Sequence, residues 1–129
     1  MSYTIDRMFM NADFGAVADR TRASLSLHGF GILTEIDVKA TLKKKLDADI
    51  GDYLILGACN PKMAHEAMKL EPKVGAMLPC NVIVQEHGPG NVEVSAVDPV
   101  ASMRAIENPE LGTIAEQIRE KLKKVIESL

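Results

Sequence analysis

The chain contains no tryptophan, and aromatic residues make up only 4% of it. A protein that wedges aromatic side chains into a nucleic-acid minor groove sets them beside basic ones, and this sequence is short of aromatics. Fifteen Lys and Arg stand against eighteen Asp and Glu, a formal charge of −3. General binding of nucleic acid through phosphate neutralisation is therefore not expected. No uncharged stretch approaches the ~20 apolar residues that span a bilayer. The first fifteen residues carry Asp6 and Asp13 and lack the basic start and apolar run of a secretory signal. The expectation is a soluble, cytoplasmic protein without membrane contacts. In that compartment the only two cysteines, Cys59 and Cys80, are expected to be free thiols.

Catalytic signatures are missing too. There is no GxGxxG, no phosphate-binding loop and no GxSxG, so dinucleotide binding, loop-based NTP hydrolysis and α/β-hydrolase chemistry lack their parts. There is no CxxC or HExxH, and the histidines do not converge with the cysteines in any metal-binding spacing. No metal and no cofactor are expected.

What is present is enough apolar material for a core. The 129 residues are 47% hydrophobic and 26% charged, with no low-complexity linker. One domain over residues 1–129 follows. Residues 2–10 alternate as a strand, with Tyr3, Ile5 and Arg7 on one side and Thr4, Asp6 and Met8 on the other. Asp13 caps a helix with apolar positions Phe14, Val17, Ala18, Thr21 and Leu25, stopped by Gly29. A half-buried strand with Phe30, Ile32, Thr34 and Ile36 on one face comes next. Asp37 then caps a short helix with Val38, Leu42 and Leu46 inward and Lys39, Lys43, Lys44 and Lys45 as a solvated face.

The run from Tyr53 to Cys59 reads as a buried strand. Asn60-Pro61 opens a helix over 61–70 with Met63, Ala64, Ala67, Met68 and Leu70 on its apolar side and His65 facing water. An irregular connection follows. Strands over 82–86 and 92–97 then flank a turn carrying His87, Pro89 and Gly90. Val82, Val84, Val92, Val94 and Ala96 share the core face of that hairpin. Ile83, Gln85, His87, Glu93, Ser95 and Val97 share the other, which is polar with apolar spots and suits an isologous dimer or a ligand surface. A helical turn is expected near 101–106. Asn108-Pro109 starts a long amphipathic helix through Leu111, Ile114, Ala115, Ile118, Leu122, Val125 and Ile126. Helices gathered on one face of a mostly antiparallel sheet make a two-layer α+β protein.

The motifs Ile55-Leu56-Gly57-Ala58-Cys59-Asn60-Pro61, Leu70-Glu71-Pro72, Leu78-Pro79-Cys80-Asn81-Val82, Asp98-Pro99 and Asn108-Pro109-Glu110-Leu111 resemble the family called domain of unknown function 302. The resemblance covers nearly the whole chain. It implies an α+β fold similar to the TATA-box-binding-protein arrangement, strand, helix, four strands, helix, commonly as a dimer. It carries no mechanism, and the fold alone is no argument for DNA binding.

The candidate site residues lie at the paired motifs. Cys59 ends a strand directly before a helix N-terminus, where the dipole and free N–H groups favour a thiolate; as a buried cysteine it is merely a small hydrophobe. Cys80 is its candidate partner. Asn60 and Asn81 cap a helix and hold a turn, or line a ligand pocket for a small anion with the backbone N–H groups near Asn60, Lys62 and Met63. The expected function is binding of a small ligand or protein partner by a homodimer, with no evident catalysis. The alternative is a thiol-dependent enzyme or redox sensor using Cys59 and Cys80.

Overall fold

In the computed structural model, which describes residues 2–129, the chain forms five strands and five α-helices. They are β1 (Thr4–Phe9), α1 (Phe14–Leu27), β2 (Gly31–Asp37), α2 (Val38–Leu46), β3 (Tyr53–Cys59) and α3 (Pro61–Leu70), then β4 (Cys80–Gly88), β5 (Asn91–Val97), α4 (Pro99–Ser102) and α5 (Pro109–Glu127). The strands form one sheet in the order β1-β5-β4-β3-β2 with every pair antiparallel. This is the α+β, largely antiparallel plan the sequence implies.

Local chemistry sets the helix starts. Each α-helix opens on an Asp or Asn whose side chain accepts from a first-turn N–H. Asp13 takes that of Ala16, Asp37 that of Ala40, Asn60 that of Met63, Asp98 that of Val100, and Asn108 those of Glu110 and Leu111. Such caps contribute roughly 1 kcal/mol each. Asn108 also donates from Nδ2 to the Leu70 carbonyl at 3.2 Å, which ties the end of α3 to the start of α5.

The core lies between the sheet and helices α1, α3 and α5. Leu54, Leu56 and Ala58 of β3, Val82 and Val84 of β4, and Val92, Val94 and Ala96 of β5 meet Val17, Leu25, Ala67, Leu111, Ile118, Leu122 and Val125. Arg7, on the helix side of β1, donates to the Ile126 and Glu127 carbonyls at 3.2 and 3.0 Å, so a cation meets the carbonyl end of α5. Among the described residues no helix is long and apolar enough to cross a membrane.

Five expectations are corrected. The register of β2 shifts between Ile32 and Thr34, so Leu33 is an extra residue. The bulge breaks the alternation, Ile36 pairs with Ile55 on the side away from the helices, and the strand is mostly exposed instead of half buried. In α2, Leu46 is exposed because the helix has no buried residue and no layer beneath its last turn. In α3, Met68 is exposed and Ala67 is buried. His87 is a residue of β4, not of the turn, which narrows to Pro89 and a positive-φ Gly90. The segment Pro72–Met77, expected as irregular, coils as a 3-10 helix.

Candidate functional site

Alternation along β3, β4 and β5 gives the sheet two unlike faces. On the helix side, the end of β3 meets the start of β4 with Ala58 paired to Cys80. Cys59 and Cys80, both free, line one small cavity with Phe30, Asn60, Ala64, Leu78 and Met103. Its volume of about 10 Å³ is room for about one water molecule at most. Asn60 is engaged as the cap of α3, its Oδ1 accepting from the Met63 N–H at 3.2 Å. Its amide nitrogen faces Gly29, whose φ of +84° turns the chain from α1 into β2.

The electrostatics of this corner run against a nucleophile. Burial pushes the Cys59 thiol up, and burial together with the neighbouring Cys59 pushes Cys80 up to about 11. No basic side chain lines the cavity. The thiol-dependent alternative therefore gains no support from the geometry. Among the described residues, no group of three or more His, Cys, Asp or Glu is placed to hold a metal ion.

The other side of the sheet is left uncovered by α1, α3 and α5. A trough of about 460 Å³ crosses it, walled by Tyr3, Asp6, Tyr53, Gln85 and Glu93 and floored by Ile83, Ser95 and Val97. A second depression of about 260 Å³ shares Asn81 and Val97 with it and reaches to Met77, Pro79 and Ser102. Ser95 distinguishes this face. Among the described residues three polar side chains are buried, Thr21, Ser24 and Ser95. The Thr21 hydroxyl donates to the Val17 carbonyl at 2.8 Å and that of Ser24 to the Val125 carbonyl at 2.9 Å. The Ser95 hydroxyl, in a residue only 5% exposed, has no hydrogen-bond partner among the described residues, and it faces the trough. Glu93 accepts from or pairs with His87, Nε2 to Oε1 at 2.8 Å. No lysine or arginine lines the trough.

The structure thus brings Cys59, Asn60 and Cys80 together and sends Asn81 to the other face. Adjacent residues of a strand point to opposite sides, so Cys80 and Asn81 cannot serve one pocket. The open-face set read from the hairpin, with Gln85, Glu93, Ser95 and Val97, is the one that converges on a cavity. Tyr53 and Asp6 join it from β3 and β1, which the sequence could not place because the strand order was open.

A two-layer α+β protein with one packed and one bare sheet face is the class that fold and site define. The chain belongs to the family described as domain of unknown function DUF302, whose profile matches residues 7–129. Among solved structures it is similar to an uncharacterized conserved DUF302 protein from Bacillus stearothermophilus, with a TM-score of 0.90 and 24% identity over 99% of this chain and 98% of that one. That likeness concerns the fold. No curated protein matches the chain.

Proposed function

We propose that this protein binds a small organic molecule in the trough on its uncovered sheet face. The observation that carries the reading is a cavity whose volume lies within the ~300–1,000 Å³ of small-molecule sites and whose lining includes Ser95, a residue 5% exposed whose hydroxyl has no protein partner among the described residues and opens onto that cavity. A hydroxyl with no protein partner that opens onto a cavity is left to water, and a ligand that supplies a matching group takes over that hydrogen bond. The α3–α5 groove is larger, about 550 Å³, but its polar walls, Glu66, Lys69, Glu110, Thr113 and Gln117, are exposed and already hydrated. Titrating ¹⁵N-labelled protein with a fragment library tests the reading. Binding fragments should shift the amides of Asn81, Gln85, Glu93 and Ser95. Shifts confined to the α3–α5 groove, or to the cysteine corner, would refute it.

The partner inferred is a second copy of the chain, docked along β2. This edge strand ends the sheet, leaves its outer row of backbone groups without a neighbour, and exposes Leu33 by 65% and Ile36 by 46%. An antiparallel twofold pairing of β2 with itself is self-complementary and continues the sheet while leaving the trough free. Light scattering after size exclusion should give a dimer, and Leu33→Lys with Ile36→Lys a monomer. A wild-type monomer at high micromolar concentration would remove this part of the reading.

A further inference from the structure

The lining of the trough also selects the charge of its ligand. In the antiparallel register Asp6 lies opposite Ser95, and Glu93 lies two residues before Ser95 on the same strand and the same face. The two residues are therefore diagonal neighbours, their Cα atoms ~7–8 Å apart by strand geometry, and both adjoin Ser95. Glu93 holds His87 through Oε1, and no contact to a cation restrains Asp6 among the described residues. The other walls are Asn81 and Gln85 amides, the rings of Tyr3 and Tyr53, and the apolar floor of Ile83 and Val97. No lysine or arginine lines the cavity to answer the carboxylates.

Resting on the small-molecule reading of the trough, we infer that its ligand is a small organic cation, an amine on a short apolar frame. An ammonium seated over Ser95 is within reach of both carboxylates and can donate to the serine oxygen. Its carbon frame lies on Ile83 and Val97, and the flanking tyrosine rings add the attraction of an aromatic face for a cation. An anion meets two carboxylates and no positive side chain. The same cavity that accepts the amine therefore rejects a carboxylate or phosphate of equal size.

The test compares three probes of one length, 1,4-diaminobutane, 1,4-butanediol and succinate, at matched concentration and low salt, by amide shifts and by thermal unfolding. The diamine should shift the amides around Asp6, Glu93 and Ser95 and raise the melting temperature. Succinate should do neither, and the diol should bind about tenfold more weakly than the diamine or worse. Asp6→Asn and Glu93→Gln should each weaken the diamine by about tenfold, with unliganded spectra that report an unchanged fold. Diol or succinate binding in the trough as well as the diamine would overturn the charge assignment and leave the trough as a ligand site. Binding by the diamine that survives the double substitution would also overturn it. If no probe and no fragment moves these amides, both readings fall together.

Discussion

Replacing Ser95 by alanine should stabilise the unliganded protein, whereas the same replacement at Ser24 should destabilise it. Both serines are 5% exposed. They differ in one respect: Ser24 bridges α1 to α5 through the Val125 carbonyl at 2.9 Å, and Ser95 has no protein partner among the described residues. Deleting the Ser24 hydroxyl orphans a buried carbonyl and costs about 1–2 kcal/mol, while deleting the Ser95 hydroxyl relieves an incompletely solvated group and gains about 0.5–1 kcal/mol. For 129 residues the unfolding entropy near the midpoint is about 0.27 kcal/mol/K. The melting temperature should then rise by ~2–4 °C in Ser95→Ala and fall by ~4–7 °C in Ser24→Ala. Differential scanning calorimetry of both variants against wild type, with urea midpoints as a second measure, decides it. Equal losses in the two variants would mean that the Ser95 hydroxyl is bonded within the fold, and the central support for a ligand in the trough would be gone. A gain in stability joined to a loss of binding is the trade expected of a residue kept for function.

Three further perturbations test the packing around both faces. Cys80 has a folded-state pKa of about 11, raised above the ~8.5 of an unfolded thiol, so the folded protein holds that proton more tightly. Its contribution is whole below about pH 8.5 and is lost as pH climbs toward 11; urea titrations should show a steeper alkaline decline in wild type than in Cys80→Ala. Gly29→Ala forces a φ of +84° on a residue with a Cβ and sets that Cβ 3.3 Å from the Asn60 amide, so denaturant titration should report a loss of about 1–2 kcal/mol. Arg7→Met keeps an apolar stem but removes both donors to the last carbonyls of α5 and the guanidinium that sits 4.9 Å over the Phe9 ring. A loss of about 1–2 kcal/mol is expected, with hydrogen exchange rising first in the last turn of that helix.

The parts of the fold legible in the sequence are those fixed by local chemistry. Asp13, Asp37, Asn60 and Asn108 mark helix starts because short polar side chains satisfy first-turn N–H groups wherever they stand. The alternation of Val82, Val84, Val92, Val94 and Ala96 assigns the hairpin faces because one side of each strand must be buried. The bulge at Leu33 was hidden because Gly31–Asp37 alternates well enough to pass for a regular strand, and one inserted residue reverses the facing of everything after it. For the site, of the two motifs that draw the eye, Cys59-Asn60 and Cys80-Asn81, the second misleads: Cys59, Asn60 and Cys80 meet in one cavity, while Asn81 belongs to the other side of the sheet. The state of Ser95 was beyond reach for another reason: its burial and its want of a partner depend on β1 and β4 lying on either side, which no local pattern dictates.

The composition of the bare face argues that it is more than a wall turned to water. The outer face of a solvent-backed antiparallel sheet ordinarily carries long charged and hydroxyl side chains that hydrate well. Here the outward positions run Thr34 and Ile36 on β2, Tyr53, Ile55 and Gly57 on β3, Asn81, Ile83, Gln85 and His87 on β4, and Glu93, Ser95 and Val97 on β5, with Thr4, Asp6 and Met8 on β1. No lysine or arginine occurs among them, although fifteen are available in the chain. Isoleucines occupy its middle, and Gly57 lies so close under Thr34 and Pro79 that an added Cβ would force one of them to move. The opposite face is closed, with a cavity of only about 10 Å³ at the cysteines. Against the sheet itself, a bound molecule has room on the bare face and none at the cysteine corner beneath the helices. An apolar centre ringed by carboxylates and unpaired amides fits a ligand with a short carbon frame and a positive end better than it fits bulk water.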